Sequence, residues 1–215
     1  MIEFEHVTQR YKTRAGERVV LNDVSFTIGH RQSIGICGRN GAGKSTLMRL
    51  ISGIEFPTSG RVRRHMSVSW PLGFAGGFQG TLTGADNVRF IARIYGKSIE
   101  DTLAFVDDFA ELGSYLHMPV KTYSSGMRAR LTFAVSLAID FDCYLIDEIT
   151  AVGDSRFHQR CHEALNRRMQ TGSLVMVSHA PETLRQFCNT GALLANGSLT
   201  FFNSIDETIA AYEAS

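Results

Sequence analysis

The sequence predicts an α/β protein in which a largely parallel sheet carries helices on its faces. Three short apolar runs, at residues 33–37, 143–146 and 174–177, have the pattern of strands that are covered on both faces. Helical periodicity follows each run, and this alternation of strand and helix favours parallel strands joined by crossover helices. Because 215 residues can bury one full core, we expect a single domain that spans 1–215.

Composition excludes several other classes of protein. The formal net charge is +1, so no overall basic field attracts nucleic acid or anionic lipid. No apolar run approaches the roughly 18 residues of a membrane helix, and the acidic, alternating residues 1–6 differ from a secretory signal. The four cysteines form no C-x-x-C pair, which is typical of a reduced cytosolic protein rather than a disulfide scaffold.

The first quarter of the chain has the pattern of strands and turns. Alternating residues at 2–8 and 24–28 predict two half-buried strands, with Gly16 and Glu17 in a polar turn between them. Residues 57–60 predict a second turn, which ends the first strand–loop–helix unit.

The middle of the chain has a different pattern from the two ends. The Gly- and Phe-rich segment 70–84 predicts a loop, and helical periodicity then runs from 85 to 138. We therefore expect an all-helical lobe at about 85–138, inserted into an α/β body formed by about 1–84 and 139–215. Two short strands split by Asn196-Gly197 are expected to end the fold.

The strongest functional signal is the pattern Gly38-x-x-x-x-Gly43-Lys44-Ser45, between a buried strand and a helix. Glycines let backbone N–H groups converge on phosphate oxygens, and the first turn of the helix adds the positive end of its dipole. Lys44 can reach the terminal phosphates of a triphosphate, and the Ser45 hydroxyl can ligate Mg²⁺. The pattern therefore predicts a phosphate-binding loop rather than a simple glycine-rich turn.

A second signal is the pair Asp147-Glu148 at the end of the buried run 143–146. Two adjacent carboxylates at a strand end are costly unless a cation lies nearby, and the Mg²⁺ of a bound triphosphate supplies one. We expect Asp147 to belong to the Mg²⁺ shell and Glu148 to orient or deprotonate the attacking water. A solvated strand end is the alternative.

In this order, the motifs resemble those of the ATP-binding subunits of ABC transporters, over nearly the whole chain. The resemblance implies a P-loop nucleotide-binding domain of the ABC type, with an antiparallel β subdomain and an inserted α-helical subdomain. It implies ATP and Mg²⁺ as ligands and an aromatic residue, Tyr11, that stacks on adenine. A tyrosine that merely ends a strand is the alternative for Tyr11.

The resemblance also implies roles for residues beyond the phosphate loop. Gln79 matches a glutamine that senses Mg²⁺ and water and connects to a membrane subunit. His179 matches a histidine that contacts the γ-phosphate, and residues 149–154 match a loop that crosses a dimer interface. The implied catalytic residues are Glu148, His179 and Gln79, and the implied metal contacts are Ser45, Gln79 and Asp147. The implied nucleotide contacts are Tyr11, Gly38, Asn40, Gly41, Gly43, Lys44, Ser45, Thr46, Ser124, Ser125, Gly126 and Asp154.

Residues 123–127 stand where the family has its signature sequence. Ser124 and Ser125 are good N-caps, and Gly126 allows close backbone approach at a helix start, which is an anion site. In the family this helix start covers the ATP held by a second copy, so that two chains enclose two nucleotides head to tail. Ser125 replaces a glycine and Met127 a glutamine of the usual pattern, so we expect Ser124 and the Gly126 backbone to make the contact. An ordinary capped helix is the alternative.

A narrower resemblance, to capsular polysaccharide export ATPases, rests on longer strings at 69–72, 75–84, 121–128 and 150–157. It implies an integral-membrane permease and further capsule export components as partners, at the cytoplasmic face of the bacterial inner membrane. Export of another polysaccharide or of an O-antigen-like glycan is one alternative. A non-transport ABC ATPase is another, although net charge +1 suits polyanion binding poorly. A P-loop GTPase switch would need an Asn-Lys-x-Asp element, which the sequence lacks.

Two further clusters have a functional and a simpler interpretation. His158 and His162 lie four residues apart on a predicted helix beside Cys161, a metal-ligand spacing, but we favour a solvated helix face. The basic cluster of Arg61, Arg63, Arg64 and His65 is interpreted as a solvated strand edge rather than a partner-facing patch.

Overall fold

The computed structural model describes residues 1–14, 16–72, 78–147 and 155–215. The chain divides into two compact units. The first comprises Met1–Pro71, Phe141–Glu148 and Met169–Ser215, and the second comprises Leu72–Asp140 and Ile149–Arg168.

The described residues of the first unit form two sheets and three helices. In chain order its elements are β1 (Ile2–Thr13), β2 (Gly16–Ile28), β3 (Ser33–Cys37), α1 (Lys44–Ser52), β4 (Ser59–Arg64), β5 (Val68–Leu72), β6 (Cys143–Asp147), β7 (Ser173–Val177), α6 (Pro181–Phe187), β8 (Thr190–Ala195), β9 (Ser198–Phe202) and α7 (Ile205–Glu213). The strand order is β2-β1-β4 in one sheet and β5-β6-β7-β3-β8-β9 in the other.

The predicted α/β class is confirmed in the six-stranded sheet. β6, β7, β3 and β8 run parallel, and β9 returns antiparallel to β8. Every residue of β3 and β7 is buried, as expected of central parallel strands with both faces covered. The three apolar runs of the sequence are therefore three of the four interior strands of this sheet.

The three-stranded sheet is antiparallel and longer than the sequence predicts. β1 pairs with both β2 and β4, and the β1–β2 hairpin continues through the pair Tyr11–Arg18 to Thr13–Gly16. The expected turn at Gly16 and Glu17 is therefore wrong, because both residues begin β2. The tip of the hairpin is exposed, and hydrogen bonding between its strands sustains it without an apolar alternation.

One buried cluster joins the two sheets of this unit through α1. It contains Leu47, Met48, Leu50 and Ile51 of the helix together with inward residues of β1, β2, β3, β6, β7 and β8. The helix is thereby held against the end of β3 from which it starts. Within the described ranges, no helix combines the length and the apolar character needed to cross a bilayer.

Two further sequence predictions for this unit were wrong. β5 (Val68–Leu72) extends into the segment 70–84, which was expected to be a loop. The strand was not predicted because Pro71 lies within it. A proline is tolerated there because β5 is an edge strand of its sheet. The last element is a helix, α7, and not a strand. The signal for it was Ser204 followed by Glu207, since the Ser204 hydroxyl accepts from the Glu207 N–H at 3.1 Å.

The second unit is helical in its described part. Its helices are α2 (Gly84–Ile94), α3 (Ile99–Ala110), α4 (Ser125–Ala138) and α5 (Ser155–Met169), the last reaching the boundary with the first unit. Thr83, Ser98 and Ser124 cap the first three by accepting a hydrogen bond from a backbone N–H of the first turn. Phe109, Phe133 and Phe157 form the aromatic centre, with ring centroids 5.7–6.5 Å apart.

The buried face of α7 supports a prediction about stability. Ile209 is 3% exposed on this helix, which packs against β8 and β3. Ile209→Ala should lower the free energy of unfolding by about 2–4 kcal/mol, because it removes a buried methylene and two buried methyl groups and leaves a cavity. Urea unfolding measures the change. Ile54→Ala makes the same substitution at a side chain that is 50% exposed, and should cost less than about 1 kcal/mol. Equal losses for the two variants would contradict the packing described for α7.

Candidate functional site

The carboxyl ends of three adjacent parallel strands bring the predicted site residues of the first unit to one edge. Asp147 of β6 is the register partner of Val177 in β7, and Val177 is the partner of Ile36 in β3. The loop from Gly38 therefore leaves this edge beside His179, which follows β7 by two residues. Open α/β sheets bind their ligands at this edge.

The conformation of the loop at 38–45 requires a glycine at position 43. Gly43 has φ of +111°, and a Cβ at this position would lie 2.4 Å from Val20 Cγ1. Gly43 is also the N-cap of α1 and offers no side chain to the first N–H groups of the helix. The first turn of α1 contains no acidic residue, so its dipole end is not neutralised from within the helix.

Lys44 is the buried cation of this loop. The residue is 8% exposed, and its Nζ donates to the carbonyl oxygens of Gly38 at 2.5 Å and Arg39 at 3.1 Å. An ammonium group taken out of water needs such oxygen partners. Phosphate oxygens are stronger acceptors than carbonyls for a charged donor, so this arrangement suits an anion with several oxygens.

A cavity of about 400 Å³ opens beside the loop within the first unit. The phosphate-loop residues form one wall and the β1–β2 hairpin forms the other. Its lining is Tyr11, Thr13, Arg18, Val20, Asn40, Gly41, Gly43, Lys44, Ser45 and Thr46. Except for Gly38, the first-unit residues assigned to nucleotide contact all line this one cavity.

Arg18 is a residue of this site that sequence reasoning missed. Its Nη2 donates to the carbonyl oxygen of Gly41 at 2.8 Å, so that a second cation contacts the loop. The signal lay in the hairpin, because Arg18 pairs directly with Tyr11 across β1 and β2. Because a turn was expected at Gly16 and Glu17, the pairing of Arg18 with Tyr11 was not predicted.

Tyr11 lies half-buried near the end of β1, and its hydroxyl group is fully engaged. It donates to Glu55 Oε1 at 2.6 Å and lies 3.3 Å from Thr46 Oγ1, and Arg49 Nη2 donates to it at 3.2 Å. Glu55 and Arg49 had no role in the sequence analysis. Both residues are linked to the site by their hydrogen bonds to the Tyr11 hydroxyl.

The remaining predicted residues of this edge are only partly described. Asp147 is half-buried at the end of β6, and His179 is exposed. Glu148 and Asp154 lie outside the described residues, as does the rest of 149–154. The sheet edge therefore unites the phosphate loop, Asp147 and His179.

In the second unit, Gln79 is held by its backbone. The Asn87 side chain accepts from the Gln79 N–H at 2.8 Å and donates to the Gln79 carbonyl at 3.1 Å. The side chain of Gln79 is exposed. Most of the distinctive string that precedes it, residues 73–77, lies outside the described residues.

The predicted signature residues lie at the start of α4, where Ser124 and Ser125 are exposed, and the others are half-buried or buried. The Ser124 hydroxyl accepts from the Met127 N–H at 3.2 Å, and no acidic residue occupies the first turn. Among the described residues, a Cβ on Gly126 would meet nothing closer than Ser124 Oγ at 3.9 Å. Packing against the described part of the chain therefore does not require a glycine here, unlike at Gly43.

The structure revises the two secondary clusters. His158 is not fully solvated, because its Nε2 is buried and has no hydrogen-bond partner among the described residues. Across the described part of the chain, no group of three His, Cys, Asp or Glu side chains could hold a metal ion. In the basic cluster, Arg63 of the edge strand β4 pairs with Glu5 at 2.9 Å, and His65, directly after β4, lies 3.6 Å from Glu3.

The cysteines are free and buried, as expected of core residues. Cys37 and Cys143 lie in the buried strands β3 and β6. Burial raises the pKa of the Cys143, Cys161 and Cys188 thiols to about 12. These groups therefore stay protonated at neutral pH and do not act as nucleophiles.

Known proteins resemble this chain over its full length. The chain is 53% identical to the capsule polysaccharide export ATP-binding protein CtrD of Neisseria meningitidis serogroup B, with 100% of this chain and 99% of CtrD covered. It is 44% identical to the polysialic acid transport ATP-binding protein KpsT of Escherichia coli, with 99% and 96% covered. The dimeric, ADP- and Pi-bound ATP-binding cassette MJ0796 shares its fold, with a TM-score of 0.81 at 20% identity over 94% of this chain and 98% of that one. The ABC transporter family matches residues 21–151, and the chain belongs to that family.

Proposed function

We propose that the chain is the ATP-hydrolysing subunit of an ABC exporter that moves capsular polysaccharide across the bacterial inner membrane. The observation that carries the proposal is the buried Lys44 ammonium at the open N-terminus of α1, in a cavity that also contains Tyr11. Similarity to CtrD along the whole chain supports the choice of cargo.

The loop residues bind the triphosphate of ATP in this proposal. Lys44 Nζ exchanges its bonds to the Gly38 and Arg39 carbonyls for bonds to phosphate oxygens. The N–H groups of the first turn of α1, which Gly43 leaves without a side-chain cap, point toward the same phosphates. Tyr11, at the hairpin wall of the cavity, contacts the adenine ring.

Ser45 and Asp147 suit Mg²⁺, which prefers hard oxygen ligands. The Ser45 hydroxyl lines the cavity, and the Asp147 carboxylate ends a strand at the same sheet edge. When bound with the nucleotide, Mg²⁺ neutralises negative charge on the phosphates. In the second unit, the exposed Gln79 is assigned to the same metal and water on the strength of the family resemblance.

Hydrolysis is assigned to Glu148 as the base that orients and deprotonates the attacking water. The assignment follows from its position directly after Asp147 in the sequence. His179 leaves the sheet beside the loop, at the end of β7, and its exposed imidazole contacts the γ-phosphate. Asp154, which ends the segment 149–154, lies at the interface with a second copy.

A second copy of the chain completes each nucleotide site. At the start of α4, Ser124 and Ser125 are exposed, Gly126 is half-buried, and the first turn contains no acidic residue. These groups cover the nucleotide held by the loop of the other copy, so that two chains enclose two nucleotides head to tail.

The exporter also requires an integral-membrane permease and further capsule export components, and the chain works at the cytoplasmic face of the inner membrane. Gln79 and its surroundings connect to the permease. Nucleic acid is not a partner, in keeping with the net charge of +1.

Removal of the Lys44 ammonium should abolish turnover. Lys44→Ala should lower the rate of Mg–ATP hydrolysis by the assembled exporter roughly 100-fold or more, because the phosphates lose their principal charged donor. Phosphate release measures the rate. Lys97→Ala is the matched control, since Lys97 forms a surface ion pair with Asp140 at 2.7 Å and should leave the rate unchanged.

The same two variants test the cargo in the native host. Cells that carry only the Lys44→Ala chain should retain polysaccharide on the cytoplasmic side of the inner membrane. Cells that carry the Lys97→Ala chain should display it at the cell surface. Normal surface polymer in Lys44→Ala cells would contradict the assignment to capsule export, even if hydrolysis is lost in vitro.

A substitution at Gly126 distinguishes ATP binding by a single chain from the ATP-induced association of two chains. Gly126→Ala should leave the ATP affinity of the single chain within about twofold, and the favourable helix propensity of alanine should keep the thermal midpoint at or above that of the wild type. ATP-induced dimerisation and hydrolysis should fall at least about tenfold, because the added methyl group prevents close approach of the partner's phosphate. Sedimentation with Mg–ATP measures dimerisation.

Gly29→Ala is the matched control for this substitution. A Cβ on Gly29 lies in ordinary contact with Gln32, 3.4 Å away, and the position has no assigned role. Unimpaired dimerisation and hydrolysis in Gly126→Ala would exclude this face as the cover of the second nucleotide.

A further inference from the structure

The ring of Tyr11 is half-buried and lines the cavity. Tyr11 lies close to the tip of the β1–β2 hairpin, where its neighbours Lys12, Thr13 and Arg18 are exposed. A half-buried side chain in such a place has several rotamers open to it unless a specific bond selects one. That bond is formed by the hydroxyl group, on the edge of the ring opposite the backbone.

Glu55 is the principal partner of this hydroxyl. Its Oε1 accepts from the Tyr11 hydroxyl at 2.6 Å, a short and charge-assisted hydrogen bond. Its other oxygen, Oε2, accepts from Arg49 Nε at 2.9 Å, and Gln9 Nε2 donates to Oε1 at 2.7 Å. Glu55 therefore has both oxygens occupied and a fixed orientation.

The surroundings keep Glu55 ionised at neutral pH. Burial acts to raise the pKa of Glu55, but hydrogen bonds from Tyr11 and Arg49 outweigh it, and the pKa lies below its ordinary value. The side chain is 22% exposed, so solvent screens the cluster only in part. Gln9 is anchored in turn, because its Oε1 accepts from the Thr58 N–H at 2.9 Å.

The same cluster reaches the phosphate loop. Arg49 Nη2 donates both to the Tyr11 hydroxyl at 3.2 Å and to Thr46 Oγ1 at 3.1 Å. Thr46 is buried in the first turn of α1, directly after Ser45. Tyr11 on β1 and the phosphate loop at the start of α1 are thus joined through side chains that lie outside the cavity lining, Glu55 and Arg49.

We infer that Glu55 is a positioning residue for the nucleotide base: it holds the Tyr11 ring at a set distance from the phosphate loop. The inference rests on the proposed function, because it assigns Glu55 a part in ATP binding without contact to ATP. Glu55 acts on ligands that carry a base, since it bonds to Tyr11 and does not itself line the cavity beside Lys44. It raises affinity by removing the cost of ordering the ring when the base binds.

The test compares a ligand with a base to one without. The full-length wild type, Glu55→Ala, Tyr11→Phe and the double variant are titrated with Mg–ATP and with inorganic tripolyphosphate. Glu55→Ala and Tyr11→Phe should each raise the Kd of Mg–ATP about five- to tenfold and leave the Kd of tripolyphosphate within about twofold. The double variant should be no weaker than the weaker single variant, because both changes break the same hydrogen bond.

Two further variants complete the design. Glu5→Ala removes a surface carboxylate that pairs with Arg63 at 2.9 Å in the same sheet, and it should change neither Kd. Glu55→Gln keeps an oxygen that can accept from the Tyr11 hydroxyl and should restore the Kd of Mg–ATP to within about threefold of the wild type. It also serves if Glu55→Ala does not fold.

The outcomes of these titrations distinguish failure of the inference from failure of the proposed function. Equal weakening of both ligands by Glu55→Ala, or additive losses in the double variant, would overturn the inference, since Glu55 would then support the loop rather than the ring. An unchanged Kd of Mg–ATP in Glu55→Ala would overturn it as well. A wild-type chain that binds neither ligand would instead refute the proposed function.

Discussion

Positive charge gathered at one edge of the parallel sheet is the constraint on which the rest of the molecule depends. β3 ends at this edge, the chain turns through Gly43, and α1 begins with uncapped N–H groups beside a buried ammonium. A buried cation at a helix N-terminus, where the dipole is also positive, is unfavourable unless oxygen atoms surround it. Carbonyls of Gly38 and Arg39 provide those oxygens in this structure, and phosphates do so in the proposed function.

The sheet and helices of the first unit are arranged around this edge. The buried cluster that unites both sheets includes one whole face of α1, so the position of the loop follows from the core and not from the loop itself. Gly43 and Gly126 illustrate two different reasons for a glycine. At Gly43 the fold itself excludes a side chain, whereas at Gly126 the chain leaves space that a partner molecule fills in the proposed mechanism.

Sequence patterns predicted the parts of the fold whose signals are local. The central strands were visible because both of their faces are apolar, and the phosphate loop was visible because its glycines and lysine have fixed spacing. α7 was missed because it is only nine residues long and its strongest signal is a cap at Ser204. The β1–β2 hairpin was underestimated because its exposed tip has no apolar alternation.

The surroundings of Tyr11 could not be predicted in the same way. Glu55 lies 44 residues from Tyr11 in sequence, and Gln9 lies 46 residues from Glu55. Which polar residues become hydrogen-bond partners of Tyr11 depends on how β1 packs against α1 in the folded chain. Arg18 was hidden for a related reason, since its place opposite Tyr11 depends on the hairpin register.

The most direct measurement is a structure of the Glu148→Gln chain saturated with Mg–ATP. The account predicts two copies enclosing two nucleotides, each with its phosphates on Lys44 of one copy and its open side covered by Ser124 and Gly126 of the other. Phosphates bound away from the Gly38–Ser45 loop would contradict it. So would a saturated chain in which the start of α4 still faces solvent.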